Sequence, residues 1–237
     1  IAPLPFIEHL VASRLLSLLN PEHDLLPSVA SGEKIITLAL KPTSGDTAKI
    51  VPAGAIADAV IVNTGSDLIL IVGKDSDSYL RNTADLPLGN RSLTEGEIIA
   101  TGSAALSAFN RAINEWQALM AVALTGLGRK AVDIGVSYAK ERYQFGVLIG
   151  SFQGLQHGFA SSITGVEGSH FLSSRAISAL ENNTDMAESL SGMAFLFASE
   201  SALNAAATSL QYHGGYGFAE EYDIQLYYRR AKGWPLQ

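Results

Sequence analysis

The residues best suited to chemistry in this chain are an arginine and an aromatic side chain at the end of a predicted long helix. Arg142 is followed by Gln144 and Phe145. A guanidinium group can pair with a diphosphate, while a phenylalanine ring can pack against the edge of a cofactor. On residue types alone a simpler alternative exists, in which the arginine complements the helix dipole beside a core phenylalanine.

A second group of residues, His213 followed by glycines at 214, 215 and 217, interrupts an alanine-rich helical stretch. A dinucleotide-binding fingerprint needs a strand immediately before its glycines, and the helical stretch excludes that interpretation. A break between two helices lets the backbone approach a ligand closely, with a plain helix cap as the alternative. The glycines at 126 and 128 lack the spacing of a phosphate loop and predict close helix packing instead.

Composition excludes several classes of site. The chain has no cysteine, which excludes disulfides and Cys-ligated metals and fits a cytoplasmic protein. Its five histidines show no metal-ligand spacing, so no metal site is predicted. The net charge of −7 argues against nucleic-acid binding. No run reaches the roughly 18 apolar residues of a membrane span.

The elements that must position these residues follow from the apolar pattern. Residues 6–19 carry a helical apolar stripe. Between about 33 and 99, short apolar runs and a hairpin signal at Asn63 to Asp67 predict a small β-barrel or sandwich. From about 102 onward the pattern is helical, with short breaks that predict an antiparallel four-helix bundle. The whole is an α+β chain.

Helix boundaries in the second half follow from capping signals. The predicted helices run over about 103–141, 151–181, 184–212 and 220–232. Ser151 is the predicted N-cap of the second helix, and Thr184 or Asp185 that of the third.

The segment that begins at Arg142 and the segment that contains the glycines at 214, 215 and 217 both resemble the C-terminal domain of the acyl-CoA dehydrogenase family. That domain has Arg-x-x-Phe-Gly at the end of one helix, Phe-Gln at the start of the next, and Gln-x-x-Gly-Gly-x-Gly-Phe before the last. Here they read as Arg142 to Gly146, Phe152-Gln153 and Gln211 to Phe218. The resemblance is specific over about 102–232 and weaker over 1–100. It implies a remnant of an N-terminal helical domain at 1–30, that domain being largely absent, a middle β-domain at 31–100 and a helical bundle with flavin-binding segments at 101–237.

The resemblance implies that FAD is the cofactor and that these segments hold its ADP half at a subunit interface. The diphosphate region would be met by Arg142, Gln144 and Phe145 and lined by Ile149, Phe152 and Leu155. The adenosine end would be met by Gln211, Gly214 and Gly215.

Departures from the family concern the flavin ring and the catalytic base. The family's Thr-Glu-Pro-x-Ala-Gly-Ser-Asp loop is replaced by Leu40 to Asp46, and no tryptophan occurs between residues 1 and 115. Counting back from Arg142, the position of the family's helix glutamate holds Trp116. Glu115 is adjacent and is one candidate base, although it would point about 100° away. The family's other location for this glutamate lies shortly after Ala-Lys, where this chain has Gly233 to Gln237. A self-sufficient enzyme would therefore use Glu115 or a glutamate beyond Gln237.

The function implied by the resemblance is that of one subunit in a heteromeric, FAD-dependent acyl-CoA dehydrogenase. An unlike partner subunit would carry the base, and the complex would desaturate an acyl-CoA, possibly a steroid side-chain ester, with an electron-transfer flavoprotein as acceptor. The alternatives are a self-sufficient homomeric dehydrogenase and a non-catalytic scaffold subunit with a vestigial flavin site. The abrupt start at Ile1 leaves open whether sequence precedes it.

Overall fold

The structure is a computed structural model that describes residues 4–75 and 79–237. The chain forms two compact units, one ending at Trp116 and the other spanning Gln117–Leu236. The predicted α+β class is confirmed. The predicted division into segments 1–30, 31–100 and 101–237 stays a prediction.

The first unit opens with the predicted helix, which is confirmed as α1, Phe6–Leu19, followed by the short α2, Leu26–Ala30. The apolar stripe of α1 explains its packing, because Val11, Leu15 and Leu16 are buried on one side of it.

Six strands follow within the described residues, in two sheets. A four-stranded sheet has the order β1-β3-β4-β6, with β1 parallel to β3 and the other pairs antiparallel, and β2 pairs antiparallel with β5. The bounds are β1 Ile36–Leu38, β2 Thr47–Val51, β3 Ala59–Asn63, β4 Asp67–Val72, β5 Gly89–Ser92 and β6 Glu97–Thr101. Residues of both sheets, among them Val51, Val60 and Ile71, belong to one buried apolar cluster. The patterns of β2 and β5 are too short and too polar to have been recognised in the sequence.

The predicted hairpin is confirmed as β3 and β4, whose register pairs Ala59 with Val72 and Asn63 with Leu68. Its turn is closed locally, because the Asn63 side chain accepts a hydrogen bond from the Gly65 amide at 2.8 Å. Both faces of β3 are buried, which accounts for its continuous apolar run.

The second unit consists of long helices. Its bounds are α3 Gly102–Glu141, which begins within the first unit, α4 Gln153–Glu181, α5 Ala187–Tyr212 and α6 Ile224–Gly233. The predicted helices are confirmed, although α6 begins at Ile224 rather than at Glu220, and the caps predicted at Ser151 and at Thr184 or Asp185 are wrong. Neither α4 nor α5 has a side-chain cap; the Ser151 hydroxyl instead donates to the Leu148 carbonyl at 2.7 Å. None of the helices in the described residues is long and apolar enough to cross a membrane.

Small residues let α3 lie close to α4 and α5. A Cβ added at Gly128 would stand 3.0 Å from Val166 Cγ2 and 3.2 Å from Ala202 Cα, which confirms the predicted close packing at that glycine. For Gly126 the prediction is wrong, since a Cβ there would meet nothing within 4 Å. Val132, Val166 and Ala205 form the buried core where the three helices meet.

Candidate cofactor site

One cavity of the helical unit brings together every residue that the sequence singled out for cofactor binding. Its volume, about 650 Å³, lies in the range of small-molecule sites. The nine predicted residues that line it are Arg142, Gln144, Phe145, Ile149, Phe152, Leu155, Gln211, Gly214 and Gly215. The cavity is also lined by four residues outside that set: Tyr138, Tyr212, His213 and Tyr216.

A tight hairpin carries the first group of residues. After α3, strands β7, Tyr143–Gln144, and β8, Val147–Leu148, pair around a two-residue turn. Both turn residues have positive φ, +54° at Phe145 and +81° at Gly146, as this type of turn requires. A left-handed conformation at a non-glycine residue costs on the order of 1 kcal/mol. The hairpin holds the Phe145 ring 92% exposed, with its centroid 6.4 Å from that of Phe152.

Arg142 is a half-buried cation at this cavity. Its amide donates to the Tyr138 carbonyl at 2.9 Å, and its carbonyl accepts from the Ile149 amide at 2.9 Å, so the backbone is held on both sides of the hairpin. Its guanidinium carbon lies 5.0 Å from the centre of the Tyr216 ring. Within the part of the chain that the structure describes, no carboxylate forms an ion pair with it. The positive charge is therefore available to an anion.

Another part of the cavity wall is the glycine segment, residues 214–218, of which Gly214, Gly215 and Tyr216 line the cavity. Gly214 has φ +61°, and a Cβ at Gly214 or Gly215 would meet no atom within 4 Å, so the backbone there faces open space. Gly217 is different, because a Cβ would stand 2.5 Å from the Leu210 carbonyl oxygen. That close approach requires glycine and folds the segment back as a 3₁₀ turn, Gly214–Phe218.

His213 is the histidine that the sequence marked for attention, and it lies in the cavity wall. Its ring stacks on Tyr138 with centroids 4.1 Å apart, and its Nδ1 donates to the Ser209 carbonyl at 2.7 Å. Burial raises the pKa of Tyr138, while the charge of Arg142 opposes that shift. Sequence reasoning missed the three tyrosines, since a tyrosine in a helix is ordinarily a packing residue.

Glu115 is not among the residues of this cavity. Its Oε1 accepts from Arg14 Nη1 at 2.8 Å and from Arg111 Nε at 3.1 Å. Two guanidinium groups thus occupy the same carboxylate oxygen, which gives Glu115 a structural role between Arg14 and Arg111. The geometry gives no support to Glu115 as a base.

Trp116, at the position counted for the family's helix glutamate, is buried against α1. Its indole Nε1 donates to Glu8 Oε1 at 2.9 Å, and Glu8 is only 4% exposed. Burial raises the pKa of Glu8 from 4.5, while the hydrogen bond from Trp116 opposes the shift. This acid was not singled out in the sequence, because its partner lies more than 100 residues away.

We expect the substitution Glu8→Gln to stabilise the protein progressively as pH rises. In the native protein Glu8 keeps its proton at pH values where the unfolded chain has lost it, so wild-type stability falls from about pH 4.5 up to the native pKa. Glutamine still accepts the indole hydrogen bond and has no proton to lose. Urea unfolding should therefore give equal stabilities near pH 4 and a difference in favour of the variant at pH 7.

The exposed Glu22→Gln serves as the control for this comparison. A Glu8→Gln advantage that is the same at both pH values, or that shrinks as pH rises, would contradict the assignment.

Comparison with known proteins agrees with this geometry. The sequence model for the acyl-CoA dehydrogenase C-terminal domain matches residues 106–235. The acyl-CoA dehydrogenase IpdE2 of Mycolicibacterium smegmatis is 31% identical over 211 residues, which is 88% of this chain and 61% of that protein. The chain thus spans less than two thirds of the length of this relative.

Two solved structures have the same fold. A variant of the Tcur3481-Tcur3483 steroid ACAD is 27% identical, with a TM-score of 0.85 over 98% of this chain and 71% of the other. The ChsE4-ChsE5 complex from Mycobacterium tuberculosis gives the same TM-score and coverage at 23% identity, a likeness of fold alone. Since the family's domain matches more than half of the sequence, and residues from both motifs line one cavity, the chain belongs to the acyl-CoA dehydrogenase family.

Proposed function

We propose that this chain is a subunit of a heteromeric, FAD-dependent acyl-CoA dehydrogenase and that its helical unit holds the ADP half of the cofactor. The observation that carries the proposal is that all nine predicted cofactor residues line one cavity. One of them is the cation Arg142, with which no carboxylate of the described residues forms an ion pair. The hairpin and the glycine segment are far apart in the sequence, and it is the fold that brings them to the same cavity.

The residues present fit a dinucleotide. Arg142 offers charge-assisted hydrogen bonds to a diphosphate, and open backbone at Gly214 and Gly215 leaves room for close approach. Phe145 and Phe152 offer an apolar wall. When bound, FAD supplies the hydride acceptor that α,β-desaturation of an acyl thioester requires.

The catalytic base is proposed to come from an unlike partner subunit. Glu115 is engaged by two arginines, and the neighbouring Trp116 is an indole that cannot take a proton from carbon. The proposal gains support from the similarity to the Tcur3481-Tcur3483 steroid ACAD and to the ChsE4-ChsE5 complex, each of which pairs two differently named chains.

The substrate class is proposed from the same relatives. Because Tcur3481-Tcur3483 is a steroid ACAD (acyl-CoA dehydrogenase), we propose that the substrate is a CoA ester with a bulky steroid-derived acyl group. An electron-transfer flavoprotein is the proposed acceptor for the electrons, and the proposed location is the cytoplasm.

The test is the flavin content of the chain purified alone and with its co-expressed partner, from visible absorbance against protein concentration. We expect flavin and acyl-CoA desaturation only in the complex. One flavin per chain with turnover in the isolated protein would instead establish the homomeric alternative. A complex in which this chain's cavity contributes nothing to flavin retention would establish the scaffold alternative.

Replacing Glu115 with glutamine adds a direct test of the base. We expect kcat of the complex to stay within about threefold of wild type, because Glu115 forms ion pairs rather than taking part in proton transfer. Loss of a general base costs about 10²-fold or more. A loss of that size in Glu115→Gln would contradict the proposal.

A further inference from the structure

A residue that the family motif leaves unspecified lies against the Arg142 guanidinium. Tyr216 occupies the variable position between the glycines of the second motif. Its ring lies beneath the Arg142 guanidinium, 5.0 Å from the ring centroid to Cζ. This distance is within the range of a cation–π interaction.

The Tyr216 ring is itself held in place. The 3₁₀ turn fixes its backbone, since Gly217 packs against the Leu210 carbonyl where no side chain fits. Tyr222 lies 5.5 Å from it, centroid to centroid, and Tyr222 in turn contacts both Tyr138 and His213. Tyr216 is therefore the outer member of a packed aromatic cluster, although it is 46% exposed.

An aromatic face holds a guanidinium in a way that a carboxylate would not. It stabilises the cation without neutralising its charge, and it leaves the in-plane N–H donors free for a bidentate acceptor. A carboxylate at the same place would neutralise the charge and would itself accept the hydrogen bonds of the guanidinium N–H groups. The lack of an ion pair to Arg142 among the described residues is consistent with this arrangement.

We propose that Tyr216 is a positioning residue that orients the Arg142 guanidinium for a diphosphate group before the ligand arrives. The inference rests on the proposed function, because it assigns the ligand of the same cavity. It adds a specific requirement, namely an aromatic ring at position 216.

The first test titrates ADP onto the full chain and its variants by isothermal calorimetry. We expect Tyr216→Leu to weaken ADP binding by about 5- to 30-fold, as loss of a cation–π interaction of about 1 to 2 kcal/mol implies. Tyr216→Phe keeps the ring and should rescue binding to within about twofold. Tyr79→Leu removes a tyrosine of matched exposure, 45%, outside the cavity, and is the control.

A second measurement needs no ligand. The ring current of Tyr216 should shift the NMR signals of the Arg142 side chain upfield in the wild-type protein, and the shift should persist in Tyr216→Phe and disappear in Tyr216→Leu. Unshifted Arg142 signals in the wild type would overturn the inference, even if Tyr216→Leu failed to fold.

The two proposals can fail separately. If Arg142→Met weakens ADP binding and Tyr216→Leu does not, Tyr216 has no positioning role and the proposed function stands. If neither ADP nor FAD binds the chain alone or in its complex, the proposed function fails, and the NMR shift alone decides whether Tyr216 orients Arg142.

Discussion

Replacing Arg142 with methionine is expected to weaken binding of ADP or FAD by about 10- to 100-fold, the equivalent of one or two charge-assisted hydrogen bonds. Methionine keeps an unbranched apolar stem but removes the charge and all of the hydrogen-bond donors. The effect should be large because the cation is half-buried, faces the cavity and has no carboxylate among the described residues to neutralise it. Equilibrium titration of flavin fluorescence measures it directly.

The matched control is Arg175→Met, since Arg175 is an exposed arginine of α4 outside the cavity. We expect this variant to bind as the wild type does. Equal losses in the two variants would mean that the effect is one of net charge. No loss in Arg142→Met would exclude the cavity as the diphosphate site.

Replacing Arg91 with methionine is expected to lower the free energy of unfolding by about 3 kcal/mol, the largest stability effect that we predict. Arg91 is 3% exposed in β5, and its Nη1 donates to the Gly54 and Ala57 carbonyls at 3.2 and 3.1 Å. Its Nη2 donates to the Gly73 carbonyl. One cation thus donates hydrogen bonds to three carbonyls from two separate loops. Methionine has no donor, so all three carbonyls would lose these hydrogen bonds.

The electrostatics of this site explain why the arginine is retained although it is buried. Burial lowers the pKa of Arg91, and the carboxylates of Asp75 and Asp58 oppose that shift. The control is Arg81→Met, because Arg81 is exposed. Its unfolding free energy should stay within about 0.5 kcal/mol of wild type in urea titrations. A similarly small change for Arg91→Met would contradict the structural role.

Short-range patterns account for what was predicted well. The apolar stripe of α1, the β3–β4 hairpin and the long helices α3, α4 and α5 depend on residues a few positions apart, and all were recognised. The misses also have a local cause. Strands β2 and β5 are short and partly polar, and the caps expected at Ser151 and Thr184 are not made because those side chains lie outside the first turn.

At the candidate site, too, some residues could be predicted from local patterns and others could not. Nine cofactor-binding residues were predicted from the sequence because the two motifs have recognisable residue types and spacing, and the structure places all nine around one cavity. Tyr138, Tyr212 and Tyr216 were not named, because a tyrosine acquires a role only from what its ring faces. The ion pair of Glu115 with Arg14 and the hydrogen bond between Glu8 and Trp116 could not be predicted from the sequence either, because each joins residues that are distant in the chain.

The residue pattern alone was enough to infer the family, the order of the helices and the two segments that carry the motifs. Three contacts could be read only from the folded chain, namely Arg142 packed on Tyr216, Glu115 paired with two arginines, and Arg91 hydrogen-bonded to three carbonyls. The difference is one of separation along the chain. Helix periodicity and turn chemistry act between near neighbours, whereas these contacts join residues brought together by close packing between elements distant in the chain.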